Sequence, residues 1–248
     1  MTATAGVQEY LEAMFRLSDG TTTAQISTSA LAAEMSISPA SVSEMLRRLS
    51  ALGLIDHQPY AGASLTPDGL EQATQVIRYH RLWERFLADV LGMSWAQVHS
   101  EACQLEHATS PEVANLLDSF LQHPATCPHG NVMPQLRPDG SPATPGLTGQ
   151  ADRTIPLAEA GHGFRGTIRR VDEEPELLRY CAEHGLVPGA VVGVSISDEF
   201  EGLRRVEVLR PEEACAAGPT TTSTIGPRAA AGVHVESLHG DDEATEPS

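Results

Sequence analysis

At 248 residues, 41% of them hydrophobic, the chain is long enough to bury a substantial core in one or two domains. It has no apolar stretch near the roughly eighteen residues a membrane span needs, and no basic start followed by an apolar run, so a cytoplasmic protein without a membrane partner is expected. A formal net charge of −17 argues against a generic nucleic-acid binder, whose grip on phosphates comes mainly from positive charge, and suits a chain that acquires cations first.

The first helix is expected over Val7 to Leu17, where Val7, Tyr10, Leu11, Met14 and Phe15 form one stripe. Glu9 and Glu12 lie one turn apart beside it and, taken alone, are a solvated acidic edge. Thr28 to Met35 reads as a short helix, Ser36-Ile37-Ser38 as a turn, and Ser38-Pro39 as the cap and first position of a helix running to about Leu52. Two short strands follow around a glycine-containing turn, from Leu54 to His57 and from Tyr60 to Thr66. Together these make a winged helix-turn-helix, whose second helix is the one that enters a major groove. The bland alternative is a small helical bundle with no DNA role. Charge gives it weight, because three arginines in residues 1–75 face eight acids.

Thr66-Pro67 should cap a long helix reaching about Leu91, where Gly92 stops it; Ser94 should cap the next, and Ser110-Pro111 a third ending near His123. The first two of these carry His80-x-x-x-Glu84 and His99-x-x-x-Cys103-x-x-Glu106-His107. Spacings of three and four place such side chains one turn apart on a single helix face. One histidine on an amphipathic helix is usually a half-exposed polar residue, but this group on adjoining helices has the pattern with which bundles hold metal ions. Apolar residues in excess of what one small bundle covers, among them Val90, Leu91, Val113, Leu116 and Phe120, point to a dimer interface.

Cys127-Pro-His129-Gly-Asn131 is weak evidence for a second metal site, since two ligands in a loop are few. The four cysteines (Cys103, Cys127, Cys181, Cys215) include no C-x-x-C pair, so reduced thiols are expected. Composition turns to Pro, Gly, Ser and Thr over 137–154, a linker. Beyond it, strands are expected at Phe164–Val171, Ala190–Ser197, Arg204–Leu209 and Val233–Val235, with a helix at Glu176–Glu183, a loop at Pro219–Thr224 and an acidic disordered tail. That describes a small β-barrel domain.

The motifs VQEYLEAMFRL, SISPASVSEMLRRLSALGLI, YHRLWERFL, WAQVHSEACQLEHATS and CPHGNVMP resemble the diphtheria toxin repressor and manganese transport regulator family over most of the chain. The resemblance implies a mainly α fold with a small β part: a winged helix-turn-helix at 1–75, a helical metal-binding and dimerisation domain at 76–136, the linker, an SH3-like or FeoA-like barrel at 155–237 and a tail at 238–248. It implies a homodimeric transcriptional regulator and no enzyme, with double-stranded DNA (a palindromic operator) as partner and no small-molecule substrate. As cofactor it implies Mn(II) or Fe(II), with two or more ions per subunit.

Carried over residue by residue, one family site falls on Glu9, Cys103, Glu106 and His107, joined in manganese-type members by Glu12 and His80. The ancillary site falls on His80, Glu84 and His99, completed in the family by a Glu and a Gln three apart from the C-terminal domain, for which the candidates here are Glu173 and Glu176, or Glu174 with Leu177 in the Gln position. Glu9 stands where iron-type members have Met, and Cys103 where several manganese-type members have Glu. Carboxylates suit Mn(II) and a thiolate suits softer ions, and the count of matching positions favours manganese. DNA would be met by Ser38, Pro39, Ala40, Ser41, Ser43 and Glu44, with Arg47 and Arg48 on phosphates. Three rival readings remain: a metalloenzyme, a winged-helix regulator sensing an oxidant or organic ligand through Cys103, and a metal-binding module that has lost DNA binding.

Overall fold

Helix α1 (Ala5–Leu17) forms where Val7, Tyr10, Leu11, Met14 and Phe15 recur at helical spacing, and all five are buried. The computed structural model describes residues 4–58, 61–135, 154–198, 202–209 and 221–238. The expected linker up to residue 153, the acidic tail from residue 239 and Cys215 lie outside the described residues.

Two compact units divide the chain. The first comprises residues 1–87, 101–125 and 132–149. In it α2 (Thr28–Glu34) is capped by the Ser27 side chain, which accepts from the Ala30 N–H. The Ser38 hydroxyl does the same for α3 (Pro39–Ala51), accepting from the Ser41 N–H at 3.2 Å, with Pro39 in the first turn. Strands β1 (Ile55–Gln58) and β2 (Gly62–Leu65) pair antiparallel as the wing. Ile26 bridges to Ala63 beside them, and the backbone comes so close that a Cβ on Gly62, whose φ is 107°, would collide with the Ile26 carbonyl. Leu11, Met14, Leu31, Val42, Leu46, Leu49, Ile55, Leu65 and Ile77 meet in one core that welds the wing and helices together.

Helix α4 (Pro67–Arg85) begins at Thr66, which caps the Gly69 N–H. Its regular part stops short of the expected Leu91, because a π-helical turn takes over at Phe86–Val90. Helix α5 (Val98–Glu106) also starts later than Ser94 implies: the Ser94 carbonyl accepts from Gln97 and Val98 N–H as a turn. Trp95, which would have occupied the first helical turn, donates its indole N–H to the Pro128 carbonyl instead. Helix α6 (Pro111–Phe120) is capped by Ser110 as expected and leaves Val113, Leu116 and Phe120 exposed along one side.

The second unit comprises residues 88–100, 126–131 and 150–248. Its strands are β3 (Thr154–Pro156), β4 (Arg165–Val171), β5 (Val191–Asp198), β6 (Leu203–Leu209), β7 (Thr221–Ile225) and β8 (Val233–Ser237). They form one antiparallel sheet in the order β3-β8-β4-β5-β6-β7. Helix α7 (Pro175–His184) puts Leu178 and Cys181 into the core beneath it, with Ile168, Val192, Val206 and Val235, and α8 (Pro227–Ala231) packs Ala230 into the same core. The segment expected as a loop at Pro219–Thr224 is a strand from Thr221 onward, because its threonines are β-branched and favour extended backbone.

Candidate metal centre

In the first unit three helices converge on His80. Helix α4 buries His80 and Glu84, α5 contributes Glu106, and α1 contributes Glu12, all at most 6% exposed. Four-residue spacing on α4 brings the His80 Nε2 to 2.9 Å from the Glu84 carboxylate, and its Nδ1 lies 2.6 Å from Glu106 Oε2. Ligand atoms of Glu12, His80 and Glu106 all lie within 4.8 Å of one another. Cys103, one helical turn before Glu106, places its Sγ 3.9 Å from the His80 Nδ1.

Around this group sits an outer rank. His107 Nε2 is 3.4 Å from Glu106 Oε1 and 3.9 Å from the carboxylate of Glu9, which is half-exposed. The other ring nitrogen, Nδ1, is 3.0 Å from the Gln8 amide oxygen. An amide oxygen only accepts, so Nδ1 is the donor to Gln8 and Nε2 is the ring nitrogen turned toward Glu106 and Glu9. Gln8 was invisible as a functional residue in the sequence. Arg16 was missed as well, although its place four residues after Glu12 on the same helix was a signal: its guanidinium bonds Glu12 at 2.8 Å and Glu34 of α2 at 3.3 Å.

Electrostatics give the cluster its character. Burial works against charge on His80, but the neighbouring Glu84 carboxylate and the bonds to Cys103, Glu106 and Glu84 outweigh it and hold the imidazole well above its ordinary value. Burial pushes the Glu106 carboxyl up, His80 pulls it down, and the charge of Glu12 pushes it up again. A proton on His80 thus stands among three buried acids whose mutual repulsion a divalent cation would relieve. Carboxylate, imidazole and thiol donors in one buried pocket fit such an ion, and loading it requires losing that proton.

The second unit holds its own group. The Cys127 N–H bonds the Asn131 carbonyl at 2.8 Å and closes a tight loop, with Gly130 at a φ of 87° where a Cβ would strike Arg169 backbone. Inside it, Cys127 Sγ lies 3.5 Å from Glu173 Oε1, Asn131 donates to the same oxygen at 2.7 Å, and His129 Nδ1 is 4.0 Å away. The fully buried His129 donates from Nε2 to the Trp95 carbonyl at 3.0 Å, and its Nδ1 is the ring nitrogen turned toward Cys127 and Glu173. The ring of His99 lies 6.4 Å from that of His129 between centroids. Glu173 is what the sequence could not bring to this loop, since it follows β4, 42 positions beyond Asn131. Glu176 stands apart, exposed, with its carboxylate 3.8 Å from Arg228.

The expected DNA-reading residues occupy the outward side of α3. Ser38, Pro39, Ala40, Ser41, Glu44, Arg47 and Arg48 are exposed and Ser43 half-buried, whereas Val42, Leu46 and Leu49 face the core.

Three family models match consecutive parts of the chain. "Iron dependent repressor, N-terminal DNA binding domain" covers residues 2–63, "Iron dependent repressor, metal binding and dimerisation domain" covers 66–135, and "FeoA domain" covers 155–237. The iron-dependent repressor IdeR of Mycobacterium leprae is 34% identical over 162 residues, which is 63% of this chain and 70% of that protein. The diphtheria toxin repressor of Corynebacterium glutamicum is 39% identical over 95 residues, 38% of this chain and 42% of that one. Among solved structures, a manganese-dependent transcriptional repressor in complex with manganese superposes with a TM-score of 0.77 at 31% identity, covering 94% of this chain and 100% of its own. The manganese regulator SloR gives 0.72 at 29%, covering 96% and 100%.

Proposed function

Because this chain belongs to the diphtheria toxin repressor family of metal-dependent transcriptional repressors, we propose that it acts as a homodimer, favours Mn(II) over Fe(II), and represses metal-uptake genes by binding a palindromic operator when loaded. One observation carries the reading: Glu12 of the DNA-binding part meets His80 and Glu106 of the helical part within 4.8 Å. Glu9, Glu12, His80, Cys103, Glu106 and His107 are the assigned ligands, with Gln8 orienting His107. A divalent cation there supplies the positive charge that turns repulsion among these carboxylates into shared ligation.

The residues do the rest. Once Glu12 and Glu9 share donors with α4 and α5, α1 is fixed against them, and with it the core that holds α3. Two copies joined through Val113, Leu116 and Phe120 of α6 would then present their α3 helices about one DNA turn apart, roughly 34 Å. Ser38 to Glu44 meet base edges and Arg47 and Arg48 meet phosphates. Carboxylates outnumbering the single thiol support manganese over a softer ion.

A second ion belongs to the Cys127, His129 and Glu173 group of the second unit, whose sulfur and imidazole suit a softer cation than the first. Glu84 and His99 keep their place as further candidate ligands, and Glu176 is the weakest, given its pairing with Arg228.

The deciding experiment titrates Mn(II), Fe(II) and Zn(II) into the protein with a fragment of its own promoter or of a metal-transporter promoter. Operator affinity should rise steeply with Mn(II). A flat response to every ion would end the reading.

A further inference from the structure

Arg16 has no part in the ligand set, yet it holds one member of it. Its Nη1 lies 2.8 Å from Glu12 Oε1, and its Nε reaches Glu34 Oε1 at 3.3 Å. Glu12 keeps 8% of its side chain exposed, so its bond to a guanidinium is made largely out of water, where a charge-assisted contact is stronger than on an open surface. Glu34 closes α2, the first helix of the helix-turn-helix, so one side chain ties a carboxylate of the metal cluster to a DNA-binding element.

We propose that Arg16 is a resident competitor for Glu12: it occupies the carboxylate that must turn to the cation, and so sets how much free metal the protein requires before it loads. This rests on the assignment of Glu12 as a ligand. In the metal-free chain the Glu12–Arg16–Glu34 bridge neutralises one of the buried acids and braces α1 against α2. On loading, Glu12 leaves Arg16, whose charge remains with Glu34. The cost of that exchange is subtracted from the affinity for metal. Arginine suits the role because it stays charged at every physiological pH, so its opposition to the cation does not fade as pH rises.

The test measures Mn(II) affinity of the full-length protein by competition with a fluorescent chelator, without DNA. Arg16→Gln should bind Mn(II) about three- to tenfold more tightly than the unmodified chain, a range consistent with one partly exposed charge pair. In the metal-free state, the same variant should exchange the amide hydrogens of Thr28–Glu34 faster. Arg16→Lys, which restores a cation within reach of Glu12, should return affinity toward the original value. Arg179→Gln removes an exposed arginine of α7 bonded to its own helix and reports the effect of net charge alone. Should Arg16→Gln melt too early to measure, Arg16→Met retains the aliphatic stem and loses only the charge. Unchanged or weaker Mn(II) binding in Arg16→Gln or Arg16→Met, or equal tightening in Arg179→Gln, overturns the proposal. Glu12→Gln separates it from its premise: weakened binding there keeps Glu12 as a ligand whatever Arg16 does, whereas unaltered binding removes the assignment itself.

Discussion

The two donor clusters of this molecule are built on opposite plans. The one around His80 draws Glu12, His80 and Glu106 from three helices, with His80 and Glu106 26 positions apart and Glu12 farther off, so it is complete only when those helices are docked. The one around His129 puts Cys127, His129 and Asn131 on a single tight turn and imports Glu173 alone. A cluster assembled across helices reports on, and can control, how they dock. One mounted on a turn braces its own surroundings. On the proposed function, the same few residue types would serve a sensor in one place and a staple in the other.

The severest way to break that contrast is Glu106→Gln. It removes a charge facing both His80 and His107, and Mn(II)-dependent operator affinity, read by fluorescence anisotropy, should fall by more than about a hundredfold, beyond the tenfold to hundredfold typical of outer partners. His129→Ala should instead cost about 2 kcal/mol of stability, visible as a fall of several degrees in Tm, while the steep response to Mn(II) survives. If the two variants lost the metal response equally, the distinction between sensor and staple would fail.

A gentler probe is pH. His80 is raised well above its ordinary 6.5, so its contribution to the stability of the metal-free protein is complete below 6.5 and disappears as pH climbs through the raised value. Glu106, also raised, acts in the same direction, because its buried charge becomes costly once it ionises. Denaturant titrations of metal-free protein should therefore show stability falling as pH rises above 6.5, and saturating Mn(II) should flatten that slope. A metal-free protein that gained stability over the same range would contradict the picture of His80 as a proton placeholder. The smallest effect concerns Cys181, whose thiol burial pushes up to about 12. Mass spectrometry after brief iodoacetamide treatment at pH 8 should find it unmodified while the half-buried Cys103 reacts.

Much of this was legible beforehand, for identifiable reasons. Ser38-Pro39, Thr66-Pro67 and Ser110-Pro111 announced three helix starts, because a hydroxyl before a proline satisfies the first orphan amides of a helix and little else does so as cheaply in sequence. His80, Glu84 and Glu106 could be grouped because helical spacing is periodic. What escaped depended on distant contacts or on competing readings of one residue type. Trp95 peels away from α5 toward Pro128, some thirty residues on, which no local pattern records. The threonines of β7 look like a loop by polarity and like a strand by branching, and pairing with β6 decided for the strand. Gln8 is an ordinary polar neighbour of Glu9 until His107 stands opposite it.

The sparse positive charge of α3 carries a last consequence. If α3 meets the duplex as proposed, its two arginines, Arg47 and Arg48, displace few condensed counterions, and attraction to arbitrary sequence should depend only weakly on ionic strength. A regulator of this kind is not soaked up by bulk genome. On the proposed function, more of its copies would then remain available to the promoters it regulates.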